Sequence, residues 1–161
     1  MLKKIFIAFA LITGFAGCQS KTALDYSQSL VKKEQSIIPE MTSTEEKVKM
    51  YFASEHFDSV AVAGERMEKL VDEKLKEIKD QPTPDVKGAT AFKDAFINYF
   101  KFIKSLYAGY KNIGQATTAE ARDQEIIKIS KLVDQKETVL KDIQDAQKKF
   151  ATENNFRLEE K

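Results

Sequence analysis

The stretch from Ala89 to Ile113 constrains the fold of this chain more than any other part of the sequence. Its large apolar residues follow one another at steps of three and four, which places them on one face of an α-helix. These residues are Phe92, Phe96, Tyr99, Ile103, Leu106, Tyr110 and Ile113, with Phe100, Phe102 and Tyr107 widening the face. A helix this aromatic is not stable in water without partners, so the sequence predicts that other segments pack around it.

The composition favours a single helical domain. The chain has 161 residues, of which 42% are hydrophobic and 32% are charged, with only six Gly and three Pro. These values exclude low-complexity classes and argue against disorder, and the scarcity of helix-breaking residues favours an all-α chain. The 26 basic residues nearly balance the 25 acidic ones. Because nucleic-acid-binding proteins of this size carry a basic excess or stripe, we expect no nucleic-acid partner.

The start of the chain has the pattern of an export signal. Lys3 and Lys4 precede an apolar run from Ile5 to Phe15. This run is too short for a membrane-spanning helix, which needs about 20 apolar residues. The segment Phe15-Ala16-Gly17-Cys18 resembles the bacterial lipobox, although Phe15 stands where Leu is usual. The resemblance implies cleavage before Cys18 and attachment of lipid to it; the alternative is an ordinary signal peptide followed by an incidental cysteine.

Cys18 is the only cysteine of the chain, so no disulfide can form within it. A lone cysteine in an exported protein leaves an unpaired thiol in an oxidising compartment, and acylation of the sulfur removes that problem. We therefore expect a signal peptide at residues 1–17, a lipidated tether at residues 18–23 and one helical domain at residues 24–161.

The lipobox resemblance also implies a location. Lipoproteins of this kind carry several acyl chains, palmitate among them, and stable anchoring needs more than one chain. Gln19 follows the cysteine, where Asp would resemble an inner-membrane retention mark, so the outer membrane of a Gram-negative bacterium is favoured. Residues 19–21 are not acidic, and the choice between the periplasmic and the surface face stays open.

Pro39 is predicted to interrupt the first helix. Apolar spacing predicts a helix from Thr22 to Ile38, and Pro39 cannot continue its hydrogen bonding. Ser43 and Glu46 then form a capping-box pattern, which predicts a new helix start and a helical segment up to Ala53. The alternative is one long helix that Pro39 only kinks.

Breaks in the pattern delimit two more helices. The second helix is predicted from Ser54 or Phe57 to Lys79, because the Pro- and Gly-containing segment 80–88 ends it. The aromatic helix is predicted to stop before Gly114, which suits a C-terminal cap.

A last helix is predicted from Ala119 to Asn154. Thr117 and Glu120 form a capping-box pattern at its start, and Asn154 with Asn155 suits a left-handed cap at its end. The tail carries two apolar residues that are predicted to fold back onto the domain. These residues are Phe156 and Leu158.

Amphipathic helices joined by short connections predict an all-α fold. We expect an up-down antiparallel helical bundle of about four helices, with the first helix interrupted near Pro39. Two passages, Tyr26 to Ile38 and Ala146 to Leu158, together with the aromatic helix between them, carry a family resemblance. The chain resembles a family of small, helical, largely uncharacterised bacterial surface or envelope lipoproteins. This resemblance implies a bundle fold and an envelope role, and it supplies no catalytic residues.

The sequence contains no pattern of catalytic or metal-binding residues. Ferritin-like bundles need two Glu-x-x-His motifs, whereas His56 is the only histidine and Ala53 stands three residues before it. Ser29 and Lys32 match a Ser-x-x-Lys pattern, but the companion motifs of penicillin-recognising enzymes are absent. We therefore predict no enzyme activity, no cofactor and no metal site.

The aromatic helix allows two interpretations. It can simply form the core, or it can leave a groove that accepts an apolar or aromatic ligand or a partner helix. The residues that would line such a groove are Phe96, Tyr99, Phe100, Ile103 and Tyr107. The first interpretation predicts a membrane-anchored, non-enzymatic binding or structural module with an envelope protein as partner. The second predicts a small-molecule carrier, and the sequence leaves the partner, the ligand and the oligomeric state open.

Overall fold

The computed structural model describes residues 18–158, and every regular element in this range is an α-helix. The five helices are α1 (Cys18–Ala53), α2 (Phe57–Asp80), α3 (Ala89–Gln115), α4 (Ala119–Asp134) and α5 (Lys136–Glu153). Helices α4 and α5 meet at Gln135 and together form the fourth arm of a bundle. The predicted all-α helical bundle is therefore confirmed.

Side-chain contacts show how the four arms run. Glu34 and Glu45 of α1 accept hydrogen bonds from Tyr99 and Tyr110 of α3, so α1 and α3 run parallel to each other. Ion pairs join α2 to both helices in the opposite order, so α2 is antiparallel to them. The start of α3 packs against the end of α5, which makes the fourth arm antiparallel to α3. The connections are thus up-down, as predicted.

Helix α3 is the centre of the core. All ten residues of its predicted apolar face are buried, with exposures between 0% and 7%. Phe92 stacks on Phe150 of α5 with ring centres 4.7 Å apart, and Phe150 also meets the rings of Tyr26 and Phe156 edge-on. The aromatic face predicted from sequence is therefore buried, and at its start Phe92 is covered by Phe150 of α5.

Two helical glycines let α2 approach α3 closely. A Cβ atom on Gly64 of α2 would lie 2.6 Å from the backbone nitrogen of Lys111 and 2.9 Å from the carbonyl oxygen of Tyr107. A Cβ atom on Gly114 of α3 would meet the backbone of Phe57 and Ala61. The prediction that Gly114 caps α3 is wrong: the residue is helical and buried, and it is a glycine because α2 leaves no room for a side chain.

The predicted interruption at Pro39 is also wrong, because α1 continues through it. Pro39 has no N–H to donate to the carbonyl of Gln35, but both residues are exposed, so water can bond to that carbonyl. Ile37 and Met41 on the opposite face are only 0% and 3% exposed, and their packing holds the helix in place on both sides of the proline. Ser43 therefore caps no helix start.

The fourth arm differs from the single predicted helix at two points. Gln135 separates α4 from α5, although its backbone stays in the right-handed helical region. The N-cap of α4 is Thr118, one residue after the predicted one, and its hydroxyl accepts a hydrogen bond from the amide of Ala121. The predicted left-handed cap is confirmed at Asn155, with φ 55°. The tail folds back as predicted, since Phe156 is 5% exposed.

Candidate functional site

The predicted lipidation residue, Cys18, is the first residue of α1. Residues 1–17, which contain the predicted signal peptide, lie outside the described residues. The predicted tether at 18–23 is helical instead, and Ala23 is fully buried. At about 1.5 Å of rise per residue, only about 8 Å of helix separates Cys18 from the core. An anchor at Cys18 would thus be joined to the bundle by helix rather than by extended chain.

The five residues predicted to line a groove all lie in the core. Each is no more than 1% exposed, so they line no groove at the surface of the described bundle. Phe96 meets Phe92 edge-on with ring centres 5.2 Å apart, and Tyr99 meets Phe100 in the same way at 5.8 Å. This packing is that of a core.

The core contains a buried acid that the sequence analysis missed. Glu34 of α1 is 1% exposed, and its Oε1 accepts a hydrogen bond of 2.8 Å from the Tyr99 hydroxyl of α3. Its Oε2 is buried and has no hydrogen-bond partner among residues 18–158. Burial raises the pKa of Glu34 to about 8, only partly offset by the Tyr99 hydrogen bond. The carboxyl is therefore mostly protonated at neutral pH.

A second acid lies three helical turns further along. The Tyr110 hydroxyl of α3 donates a hydrogen bond of 3.1 Å to Oε2 of Glu45 in α1. Burial raises the pKa of Glu45 as well, and the hydroxyls of Tyr110 and Tyr107 and the charge of Lys136 oppose this rise. We call the four residues that form these two contacts, together with the neighbouring Tyr107, the carboxyl–tyrosine seam. They are Glu34, Glu45, Tyr99, Tyr107 and Tyr110.

The periodicity of α1 contains a signal for the seam. Leu30, Glu34, Ile37 and Met41 follow one another at steps of four, three and four, so Glu34 occupies a core position of the apolar face. The sequence analysis treats the tyrosines of α3 that face this acid only as part of an apolar helix face. Because a buried carboxyl needs a hydrogen-bond partner, a Tyr-rich helix opposite an acid at a core position predicts such pairs.

The part of the seam around Glu34 has no access to a substrate. Glu34, Tyr99 and Tyr107 are each no more than 1% exposed, so a reacting molecule cannot reach their polar atoms without opening the bundle. Within residues 18–158, no group of three or more His, Cys, Asp and Glu side chains is placed to hold a metal ion. His56 is exposed in the connection between α1 and α2, where its Nδ1 lies 2.9 Å from the Ser54 hydroxyl.

The surface has two notable features. A shallow groove of about 310 Å³ runs between α1 and α2, and it contains two acidic and two basic side chains, so it selects neither sign of charge. In the described part of the chain, four large apolar side chains are 41% to 67% exposed, and all lie in the half of the bundle far from Cys18. They are Met50, Val62, Ile126 and Ile127. No helix among the described residues is both long and apolar enough to cross a membrane.

Comparison of the chain with protein-family models, with curated proteins and with solved structures finds no match. The resemblance to envelope lipoproteins therefore stays a prediction from the sequence.

Proposed function

We propose that this chain is an outer-membrane lipoprotein of the bacterial envelope that acts as a non-enzymatic binding or structural module. One observation carries the proposal: the single cysteine ends a segment with the pattern of a lipoprotein export signal and also opens the first helix of the bundle. Lipid on this residue would hold a folded domain at the membrane with no long linker between them.

Charge supports anchoring by lipid rather than by electrostatics. Cleavage before Cys18 would remove Lys3 and Lys4, which lowers the 26 basic residues to 24 against 25 acidic ones. A nearly neutral domain gains little from the negative surface potential of a membrane. Two or more acyl chains would then supply the binding free energy, at about 0.8 kcal/mol per buried CH₂ group.

Closure of the core supports a binding or structural role over a carrier role. The aromatic side chains that would hold an apolar ligand are instead packed against one another and against α1 and α5. A partner would then contact the outside of the bundle, where the exposed apolar residues lie far from the anchor.

The anchor is tested by substitution of Cys18 with Ser in the full-length chain. We expect the variant to lose labelling by a palmitate analogue and to leave the membrane fraction, whereas Ser20→Ala, a neighbouring control, keeps both. Mass spectrometry of the wild-type mature protein should find an acylated cysteine at its first position. A Cys18→Ser variant that stays with the membrane, or a mature terminus without acyl groups, would overturn the anchor.

The binding role is tested by photo-crosslinking in intact envelopes. A photoreactive residue at Met50, which is 58% exposed at the far end, should capture a distinct envelope protein. A matched probe at Lys87, with a side chain 73% exposed in the connection between α2 and α3, serves as the control. Equal capture at both positions, or at neither, would argue against a partner at the far end.

A further inference from the structure

The pairing of Glu34 with Tyr99 is unusual because neither group is reached by water. The Glu34 carboxyl has one hydrogen bond, from the Tyr99 hydroxyl, and its second oxygen is buried without a partner. An ionised carboxylate needs several hydrogen bonds or a cation to offset its lost hydration. The site therefore suits the neutral acid and does not suit the anion.

The helices that pack around this site offer the anion no compensation. The buried residues of α2 are Val60, Gly64, Met67, Val71, Leu75 and Ile78, none of which titrates. The buried residues of α4 and α5 are Ile129, Ile143, Gln147, Phe150 and Ala151, and none of these titrates either. From α3, Tyr99 faces Glu34 and Tyr107 lies beyond Tyr99, and both are neutral donors. On α1 itself, Lys33 is directed to the surface, where it pairs with Glu77 at 3.4 Å.

We propose that Glu34 and Tyr99 form a proton-dependent latch, which fastens α1 to α3 when the carboxyl is protonated and releases this part of α1 when the carboxyl ionises. The ionised carboxylate is stable only in water, and α1, which carries Glu34, has to move for the carboxylate to reach water. This inference does not depend on the lipid anchor, because it concerns the bundle itself.

The direction of the pH effect follows from linkage. Burial raises the pKa of Glu34 from its ordinary value of 4.5 to about 8, so the folded chain holds a proton that the unfolded chain has released between these values. The contribution of Glu34 to stability is then greatest below pH 4.5 and falls as the pH rises towards 8. The unfolding equilibrium constant increases by up to about tenfold per pH unit through this window and is independent of this group above it.

The experiment measures chemical unfolding of the purified bundle from pH 5 to pH 9, for the wild type and for Glu34→Gln. The neutral amide keeps the size of the side chain and can accept the Tyr99 hydrogen bond, but it does not titrate. We expect the unfolding constant of the wild type, relative to that of Glu34→Gln, to rise at least a hundredfold between pH 5 and pH 8. Equal pH dependence in the two proteins would overturn the latch.

Two further measurements locate the effect. NMR titration of the Glu34 carboxyl carbon in the wild type should show a midpoint near pH 8, and a midpoint near the ordinary value would refute the proposal even if Glu34→Gln does not fold. Hydrogen exchange at pH 8 should be faster in the wild type than in Glu34→Gln for amides of α1 around Glu34. Uniform acceleration over all helices would refute a local release of α1.

The Tyr99→Phe variant removes the hydroxyl that donates to the Glu34 carboxylate. The midpoint of the Glu34 NMR titration should therefore move to higher pH in this variant.

Discussion

Replacement of Gly64 by Ala tests how closely α2 and α3 approach each other. The added Cβ would lie 2.6 Å from the Lys111 nitrogen, 2.9 Å from the Tyr107 oxygen and 3.0 Å from the Tyr110 Cβ. Ordinary contacts begin near 3.4 Å, so α2 has to withdraw by about 0.8 Å, the difference between 3.4 and 2.6 Å. Two of the three neighbours are backbone atoms of α3, which cannot rotate away as a side chain does.

Two free energies of opposite sign decide the outcome. Ala is a better helix former than Gly by about 1 kcal/mol, which favours the variant. Overpacking of a well-filled core costs typically about 1–3 kcal/mol, because side chains and backbone must shift to relieve the contact. Since the clash is with backbone, we expect the cost to exceed the gain, with a net loss of up to about 2 kcal/mol. For a domain of this size, at about 2–4 °C per kcal/mol, that loss lowers Tm by up to roughly 8 °C.

Gly109→Ala is the matched control, measured with Gly64→Ala by urea unfolding and by thermal unfolding. Gly109 also lies within α3, but its Cβ would meet only side-chain atoms of Ile129, at 2.5 and 2.7 Å. Ile129 is the one buried residue of α4 and its side chain can rotate, unlike backbone, so this variant should stay within about 0.5 kcal/mol of the wild type or gain stability. If Gly64→Ala equals or exceeds Gly109→Ala in stability, the two helices are not as close as described and the argument fails.

Three other substitutions test single features of the fold by the same unfolding measurements. Pro39→Ala restores a helix donor at an exposed position and should raise the free energy of unfolding by about 1–3 kcal/mol; a loss would mean that the proline fits α1. Phe150→Ala removes the ring that Phe92 stacks on and should cost about 3–5 kcal/mol, and a cost under 1 kcal/mol would contradict the packing. Thr118→Ala should cost about 1 kcal/mol through the lost cap of α4, whereas Thr117→Ala, at the position predicted from sequence, should be neutral.

The parts of the fold that sequence predicted are those encoded by local periodicity. The aromatic face of α3 is present in full because a three-four spacing over seven turns can be satisfied only by a helix with covered sides. The break at residues 80–88 is a connection because it holds two prolines and a glycine. The left-handed Asn155 was also predictable, since few residues other than Gly and Asn adopt that conformation readily.

The features of the fold that the sequence did not predict depend on which residues of the other helices, or of the opposite helix face, surround a given residue. Pro39 ends helices in isolation, but here buried neighbours on the other face keep α1 continuous. Gly114 has the pattern of a cap, and only the position of α2 shows that the space for a side chain is missing. Glu34 is an ordinary charged residue until Tyr99 and the surrounding apolar side chains are known. In each of these cases a rule based on neighbours in the sequence predicts one structure, and a contact with a residue distant in the sequence decides another.

The carboxyl–tyrosine seam illustrates how such contacts restrict the register of two helices. Glu34 bonds to Tyr99 and Glu45 bonds to Tyr110, and in both pairs the partners are 65 residues apart. The apolar residues of α1 and α3 repeat at every turn, so a shift of one turn would still match apolar side chains with apolar side chains. The same shift would leave both carboxyls without their hydroxyls, at a cost of about 1–3 kcal/mol for the fully buried Glu34 and less for the partly exposed Glu45. Apolar periodicity therefore accounts for the formation of the bundle, and the two polar pairs account for a single alignment of α1 on α3.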